Sequence, residues 1–109
     1  MLTTIGRRSG EKRTSPMFYG TAGDAYVIIG SKGGADTHPG WYLNLRANPV
    51  VEVQVGRERF TVHARVATGK EREHLWEQMA QLAPPYRDYQ KKTKRELPVV
   101  VLEKQSPSK

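Results

Sequence analysis

The sequence predicts an α+β domain, a small barrel of antiparallel strands with short helices attached. Three observations carry this. Residues 50–55 and 60–66 alternate apolar and polar side chains on either side of Gly56-Arg57-Glu58, the period-2 pattern of a half-buried hairpin. Residues 70–83 place Leu75, Trp76, Met79, Leu82 and Ala83 at helical spacing and run into Pro84-Pro85. Residues 98–102 are continuously apolar, as in a strand buried on both faces. The predicted order is β-β-α-β-β-α-β, and the short links between strands require antiparallel pairing. A chain of 109 residues is one domain, assigned to residues 1–104, with 105–109 expected to be a disordered tail.

The elements follow in order. The chain opens abruptly: Met1-Leu2 lead straight into the β-leaning Thr3-Thr4-Ile5, which leaves a longer native N-terminus open. Residues 13–19 and 25–29 read as strands flanking a hairpin connection, Gly20-Thr21-Ala22-Gly23-Asp24, with Pro16 placing the first at an edge or bulge. Residues 38–47 read as a helix capped by Thr37, with Pro39 in its first turn and Asn48-Pro49 ending it. In the next hairpin Val51, Val53 and Val55, then Phe60, Val62, Ala64 and Val66, face the core, while Thr61, His63 and Arg65 face water. Thr68 and Glu71 have capping-box spacing for the helix at 70–83. A short helix over 86–95 follows the double proline, and the polar stretch from Glu103 to Lys109 reads as a frayed end.

Lys and Arg number 18 against 11 Asp and Glu, a net charge of +7 and a pI near 9.9. That field favours anionic partners: nucleic acid, anionic lipid, or a phosphorylated or polycarboxylate ligand. The absence of cysteine excludes a disulfide framework, a thiolate zinc site and a cysteine nucleophile. No apolar run has transmembrane length and no secretory signal is visible, so the expected compartment is the cytosol. The three histidines, His38, His63 and His74, have no metal-ligand spacing, and no metal is expected.

Four stretches carry candidate chemistry. In Gly6-Arg7-Arg8-Ser9-Gly10-Glu11-Lys12-Arg13 four cations lie between and beyond two glycines, and arginine forks match carboxylate and phosphate oxygens. The alternative is a solvated charged turn. Gly30-Ser31-Lys32-Gly33-Gly34 stands between an apolar strand and a helix start, a recipe for holding a phosphate. It lacks the Walker spacing, and a flexible turn fits it as well. On the short helix Trp41 and Leu45 share a face that is normally core, while Asn44 lies on an adjoining face where its amide can meet a planar ligand. Tyr86 and Tyr89, three apart after Pro84-Pro85, line an apolar pocket or simply pack on the barrel.

Taken together, LTTIGRRSGEKRTSPMFY, SKGGADTHPGWYLNLRANP and PPYRDYQKKTKRELPVVVLE resemble the deazaflavin-dependent nitroreductases of actinobacteria, oxidoreductases that use coenzyme F420. The resemblance runs from Leu2 to about Glu103. It implies a split β-barrel related to the flavin-mononucleotide-binding oxidases. It further implies that Arg7, Arg8 and Arg13 meet the phosphate and oligoglutamate tail. Ser31, Lys32, Gly33 and Gly34 would wrap the phosphate and ring edge, and Ser15, Pro16, Met17 and Phe18 would line the deazaflavin. Trp41 and Asn44 match positions near the coenzyme. Tyr86 and Tyr89 match tyrosines over the substrate face, with a tyrosine hydroxyl or Ser31 holding the oxygen that gains charge. A small-molecule substrate and no nucleic acid are the implied partners, with a monomer or weak homodimer as the implied assembly. The family's variable, sometimes amphipathic N-terminal extension leaves peripheral membrane contact open.

The cofactor then carries the hard chemistry, and the protein supplies orientation, electrostatics and water exclusion. One departure matters. Nitroimidazole-reducing members carry a further tyrosine where this chain has Ala83. A roomier pocket with one hydroxyl fewer favours enones, quinones or furanocoumarin-like substrates over nitro prodrugs. Three other readings stand beside this one: a basic nucleic-acid-binding barrel, a split barrel holding flavin mononucleotide or haem, and a coenzyme carrier without turnover.

Overall fold

The computed structural model describes residues 1–35 and 37–104. The expectation of a disordered tail at 105–109 lies outside them. Strands β1 (Leu2–Ile5), β2 (Lys12–Ser15), β3 (Gly20–Ala22) and β4 (Ala25–Ile29) come first. A 3-10 turn at Lys32–Gly34 and helix α1 (Gly40–Ala47) lead to β5 (Val50–Val55) and β6 (Glu58–Val66). Helices α2 (Gly69–Leu82) and α3 (Pro85–Lys92) precede β7 (Val99–Lys104). All pairings are antiparallel, in the order β2-β1-β5-β6-β7-β4-β3.

The sheet has a core on each face. One holds Leu2, Ile28, Leu45, Val53, Val62, Val100 and Leu102. Leu2 on β1 and Leu102 on β7 line the same small apolar pocket although two strands separate them, so the sheet curls around this core. The other core holds Val27, Ile29, Leu75, Met79, Tyr86, Val99 and Val101, beneath α2 and α3. Alternation along β4 and β7 feeds both: Val100 and Leu102 point one way, Val99 and Val101 the other. This is why residues 98–102 are continuously apolar.

The structure revises several local expectations. Residues 13–19 are not one strand. β2 stops at Ser15, immediately before Pro16, whose ring nitrogen has no proton for a ladder. β2 pairs with β1 across the basic turn, and the next hairpin is β3–β4, tightened to a turn at Gly23-Asp24. Gly20 opens β3 where α2 presses closest, since a Cβ there would lie 2.6 Å from Met79 Sδ. Thr37 does not cap α1; Pro39 occupies the N-cap and the Thr37 hydroxyl accepts from Lys32 Nζ at 3.2 Å. Thr68 holds the N-cap of α2 without a side-chain bond, and the Glu71 carboxylate that would reach back to it is engaged instead by Arg65 through both oxygens. The helix expected over 86–95 ends at Lys92, and Glu103 and Lys104 pair with His63 and Val62 rather than fraying.

Candidate active site

The basic stretch is a tight turn between β1 and β2. Gly6 N donates to Glu11 O at 2.7 Å and Gly10 N to Gly6 O at 2.8 Å, with Gly10 at φ +74°, a conformation glycine adopts without strain. Asn44 on α1 pins this turn. It is buried, its Oδ1 accepts from Arg7 N at 3.2 Å and Arg7 Nη1 at 3.0 Å, and its Nδ2 donates to the buried Thr4 hydroxyl at 3.2 Å. Gly6, Arg7, Arg8, Ser9, Arg13 and Asn44 line an open cleft of about 200 Å³. Arg8 makes no hydrogen bond or ion pair among the described residues, and Arg13 has only a loose pairing with Glu11 at 3.7 Å. The cleft is therefore cationic with little internal neutralisation, and Asn44 serves it from behind, its amide spent on the protein.

The second segment, residues 31–34, turns on a 3-10 geometry with Gly34 N donating to Ser31 O at 2.9 Å. Lys32 is exposed and in the left-handed region, at φ +46°. Gly33 lies within the turn. Gly34, at φ +86°, sits against α3: a Cβ there would lie 2.8 Å from Tyr89 O and 3.1 Å from Tyr89 Cα. The loop thus rests on the backbone of the helix that carries both tyrosines.

Those tyrosines form an aromatic cluster. The Tyr86 ring centroid lies 6.2 Å from Tyr89, 6.1 Å from Phe18 and 6.5 Å from Trp76. Tyr86 is only 8% exposed and Phe18 is 50% exposed, so a buried ring is flanked by an open one. The Tyr86 hydroxyl has no hydrogen-bond partner among the described residues. Burial, and secondarily Tyr89, pushes its pKa above the ordinary phenol value, so the hydroxyl keeps its proton and remains a donor.

Of the residues singled out in the sequence, the structure brings Phe18, Tyr86, Tyr89 and Gly34 into one neighbourhood, and Arg7, Arg8, Arg13 and Asn44 into another. Met17 turns instead to the first core, where it lines the apolar pocket with Tyr19 and Tyr26. Ser15 closes β2 opposite Leu2, and Pro16 is exposed. Trp41 is half-buried, edge-on to Tyr42 at 6.3 Å. The Ser31 carbonyl is engaged by Gly34 and by Arg95.

Two residues of this region escaped the sequence reading. Arg95, from the link between α3 and β7, reaches back to the 31–34 loop, and His38 receives one of its N–H groups through Nδ1 at 3.0 Å. His38 also packs tilted against Tyr42, ring centroids 4.6 Å apart, and Tyr42 accepts from Arg46 at 2.9 Å. Arg95 is the one arginine beside Lys91, Lys92 and Lys94 in the run KKTKRE, but nothing in that run says which of these side chains turns inward. Among the described residues no three His, Cys, Asp or Glu side chains gather as a metal site, and no helix is long and apolar enough to cross a membrane.

A curled antiparallel sheet with a cationic cleft and a glycine-rich loop beside an aromatic wall defines a split-barrel cofactor-binding protein. Likeness to the haem storage protein HutZ of Vibrio cholerae, with a TM-score of 0.72 at 13% identity, supports that fold. The profile of the F420H(2)-dependent quinone reductases matches residues 1–104. An F420H(2)-dependent quinone reductase of Mycobacterium tuberculosis (strain ATCC 25618 / H37Rv) is 43% identical over 105 residues, covering 94% of this chain and 70% of the relative. A solved F420-H2 dependent reductase (FDR-A) superposes with a TM-score of 0.86 at 43% identity, covering 94% of this chain and 90% of that one. A structure described as a domain-swapped dimer matches with the same TM-score of 0.86 and 43% identity, covering 94% of this chain and 77% of that one. The chain belongs to the F420H(2)-dependent quinone reductase family: it is an F420H2-dependent oxidoreductase, and the resemblance read from its motifs is borne out.

Proposed function

We propose that the chain reduces quinones and related planar conjugated acceptors with reduced coenzyme F420. The carrying observation is that the 31–34 loop and Phe18 both abut α3, the loop at the Tyr89 backbone and Phe18 at the Tyr86 ring, so that loop and aromatic wall share one helix. The residues present fit the coenzyme's chemistry. A long polyanionic tail suits the cleft in which Arg8 has no partner among the described residues, and Lys32 adds an exposed point charge on the loop. In this reading Arg7, Arg8 and Arg13 hold the tail, and Ser31, Lys32, Gly33 and Gly34 hold the phosphate and ring edge. Ser15 and Pro16 lead into Phe18 beside the ring, Met17 staying in the first core, and Trp41 and Asn44 support the site from α1.

When bound, reduced deazaflavin supplies a hydride. The chain's own part is to orient and to exclude water. Tyr86, Tyr89 and Phe18 offer an apolar wall for a flat acceptor. The Tyr86 hydroxyl, protonated and without a partner among the described residues, donates to the acceptor oxygen as that oxygen gains charge. Ser31 is the second candidate donor. A quinone that takes up the hydride and one proton leaves as the quinol. Ala83, which packs on the second core beside α3, leaves room for bulkier enones or furanocoumarin-like acceptors and favours them over nitro compounds. We read the assembly as a monomer or weak homodimer; the charged edge formed by Lys12 and Arg13 opposes tight strand pairing.

Parallel titration with oxidised coenzyme F420 and flavin mononucleotide, followed by quinone reduction with the reduced coenzymes, tests this reading. The expected result is tighter binding of F420 and F420H2-dependent quinol formation. Tighter binding of flavin mononucleotide, with no F420 affinity at low salt, overturns it.

A further inference from the structure

We infer that Arg95 is the positioning residue that holds the 31–34 loop in its coenzyme-binding shape; this rests on the loop being part of the coenzyme site. Every N–H of its guanidinium is spent on the protein. Nε donates to Ala35 O at 3.1 Å, and Nη2 donates to Ala35 O at 2.9 Å and Ser31 O at 3.0 Å. Nη1 donates to Gly30 O and to His38 Nδ1, both at 3.0 Å. The acceptors bracket the 3-10 turn: Gly30 and Ser31 enter it and Ala35 leaves it. A planar fork with five fixed donors spans such a set; an ammonium on a flexible stem does not.

The loop needs this clamp. Lys32 is held in the left-handed region, which disfavours a side chain and persists only when its surroundings over-determine it. Arg95 is itself fixed. Its N–H donates to the Thr93 hydroxyl at 3.2 Å, its carbonyl accepts from Gln90 Nε2 at 2.7 Å, and Gln90 Oε1 accepts from Leu97 N at 3.0 Å. Gln90 lies on α3, the helix of Tyr86 and Tyr89. Arg95 therefore registers the loop against the substrate wall, and its charge behind the loop carbonyls adds to the field for an anion. With no donor left over, it acts on the loop and not on the reacting atoms.

The test uses the full chain with Arg95→Lys, Arg95→Ala, Lys32→Ala and Arg72→Ala. Arg72 holds the same link, through Leu97 O at 2.8 Å and Glu96 at 3.0 Å, but has no bond to the loop. Two readouts are taken: the dissociation constant for oxidised coenzyme F420 by fluorescence titration, and the rate at which trypsin cuts after Lys32 in the coenzyme-free protein. Both Arg95 variants should bind the coenzyme about ten-fold or more weakly and be cut faster after Lys32, while Arg72→Ala changes neither. Arg95→Lys keeps the charge, so its failure to restore binding separates the clamp from simple electrostatics; it also carries the test should Arg95→Ala not fold. If Lys32→Ala weakens binding while the Arg95 variants bind and resist trypsin like wild type, the clamp is wrong and the site stands. If Lys32→Ala and both Arg95 variants all bind like wild type, the loop is not the coenzyme site and the inference falls with it.

Discussion

Replacing Gly34 with alanine probes the contact on which the site reading rests. The new Cβ would lie 2.8 Å from Tyr89 O and 3.1 Å from both Tyr89 Cα and Lys92 Cβ. The first two of these atoms are backbone within a helix and cannot rotate away. The residue would also have to remain at φ +86°, which costs an L-amino acid about 1–2 kcal/mol. Overpacking adds about 1–3 kcal/mol. If the loop stays in place, the two together cost about 2–5 kcal/mol, which for a domain of this size lowers the melting temperature by roughly 10 °C or more. If the loop instead lifts from α3, stability recovers in part and the coenzyme loses its seat. Thermal unfolding and F420 titration on the same preparation distinguish these outcomes, and one of the two quantities must move. Gly34→Ala with wild-type melting temperature and wild-type coenzyme affinity would refute the contact between loop and helix.

Two further predictions concern the tyrosine wall and the histidine behind the loop. Tyr86→Phe keeps the wall and removes the hydroxyl, so kcat for quinone reduction should fall by about ten- to a hundredfold with coenzyme affinity unchanged, whereas Tyr86→Leu should also raise KM; steady-state kinetics with wild-type values for both variants would return Tyr86 to simple packing. Burial first, then the Arg95 and Arg46 charges, hold His38 below its ordinary value of 6.5. The unfolded imidazole thus takes up a proton at a pH where the folded one does not. Its contribution is fully present above pH 6.5 and is lost as pH falls through the lowered folded value. Urea unfolding at about pH 7.5 and about pH 5.5 should show a drop that His38→Gln reduces, and an equal drop in both proteins would dismiss His38 as its source.

Legibility in the sequence followed how local the cause was. The β5–β6 hairpin was readable because each side chain declares its face: Val51, Val53, Val62 and Ala64 are buried, and Thr61 and His63 are exposed. The α2 stripe and its proline stop were readable for the same reason at Leu75 and Met79, although Leu82, counted in that stripe, is exposed one turn further on. The stretch 13–19 was not, because the β-propensity of Phe18 and Tyr19 belongs to a linker that hands one ring to Tyr86 and the other to Tyr26. Capping chemistry failed where tertiary partners outbid it, as Arg65 does for Glu71. The cationic turn and glycine loop showed in composition, since arginine forks and positive-φ positions are chemically conspicuous. Arg95 stayed hidden beside three neighbouring cations because only the fold says which of the four turns inward.

The two anion-binding segments lie more than 15 residues apart in sequence, yet one short helix and its lead-in serve both. Asn44 on α1 fixes the basic turn through Arg7, and His38, just ahead of α1, meets the arginine that fixes the loop. α3 stands outside this frame except at Gly34 and Gln90, where it touches the loop and the Arg95 link. The arrangement separates two tasks physically. On the proposed function, groups tied to α1 and Arg95 would hold the anionic coenzyme, and the exposed flank of the wall formed by Phe18, Tyr86 and Tyr89 would meet the acceptor. Residues such as Ala83, adjoining that wall but bonded to neither anion segment, can vary the acceptor without disturbing the coenzyme. If the proposed site is right, such a fold can keep its cofactor while its substrate range shifts, because the side chains proposed to meet the acceptor are not the ones proposed to neutralise the charge.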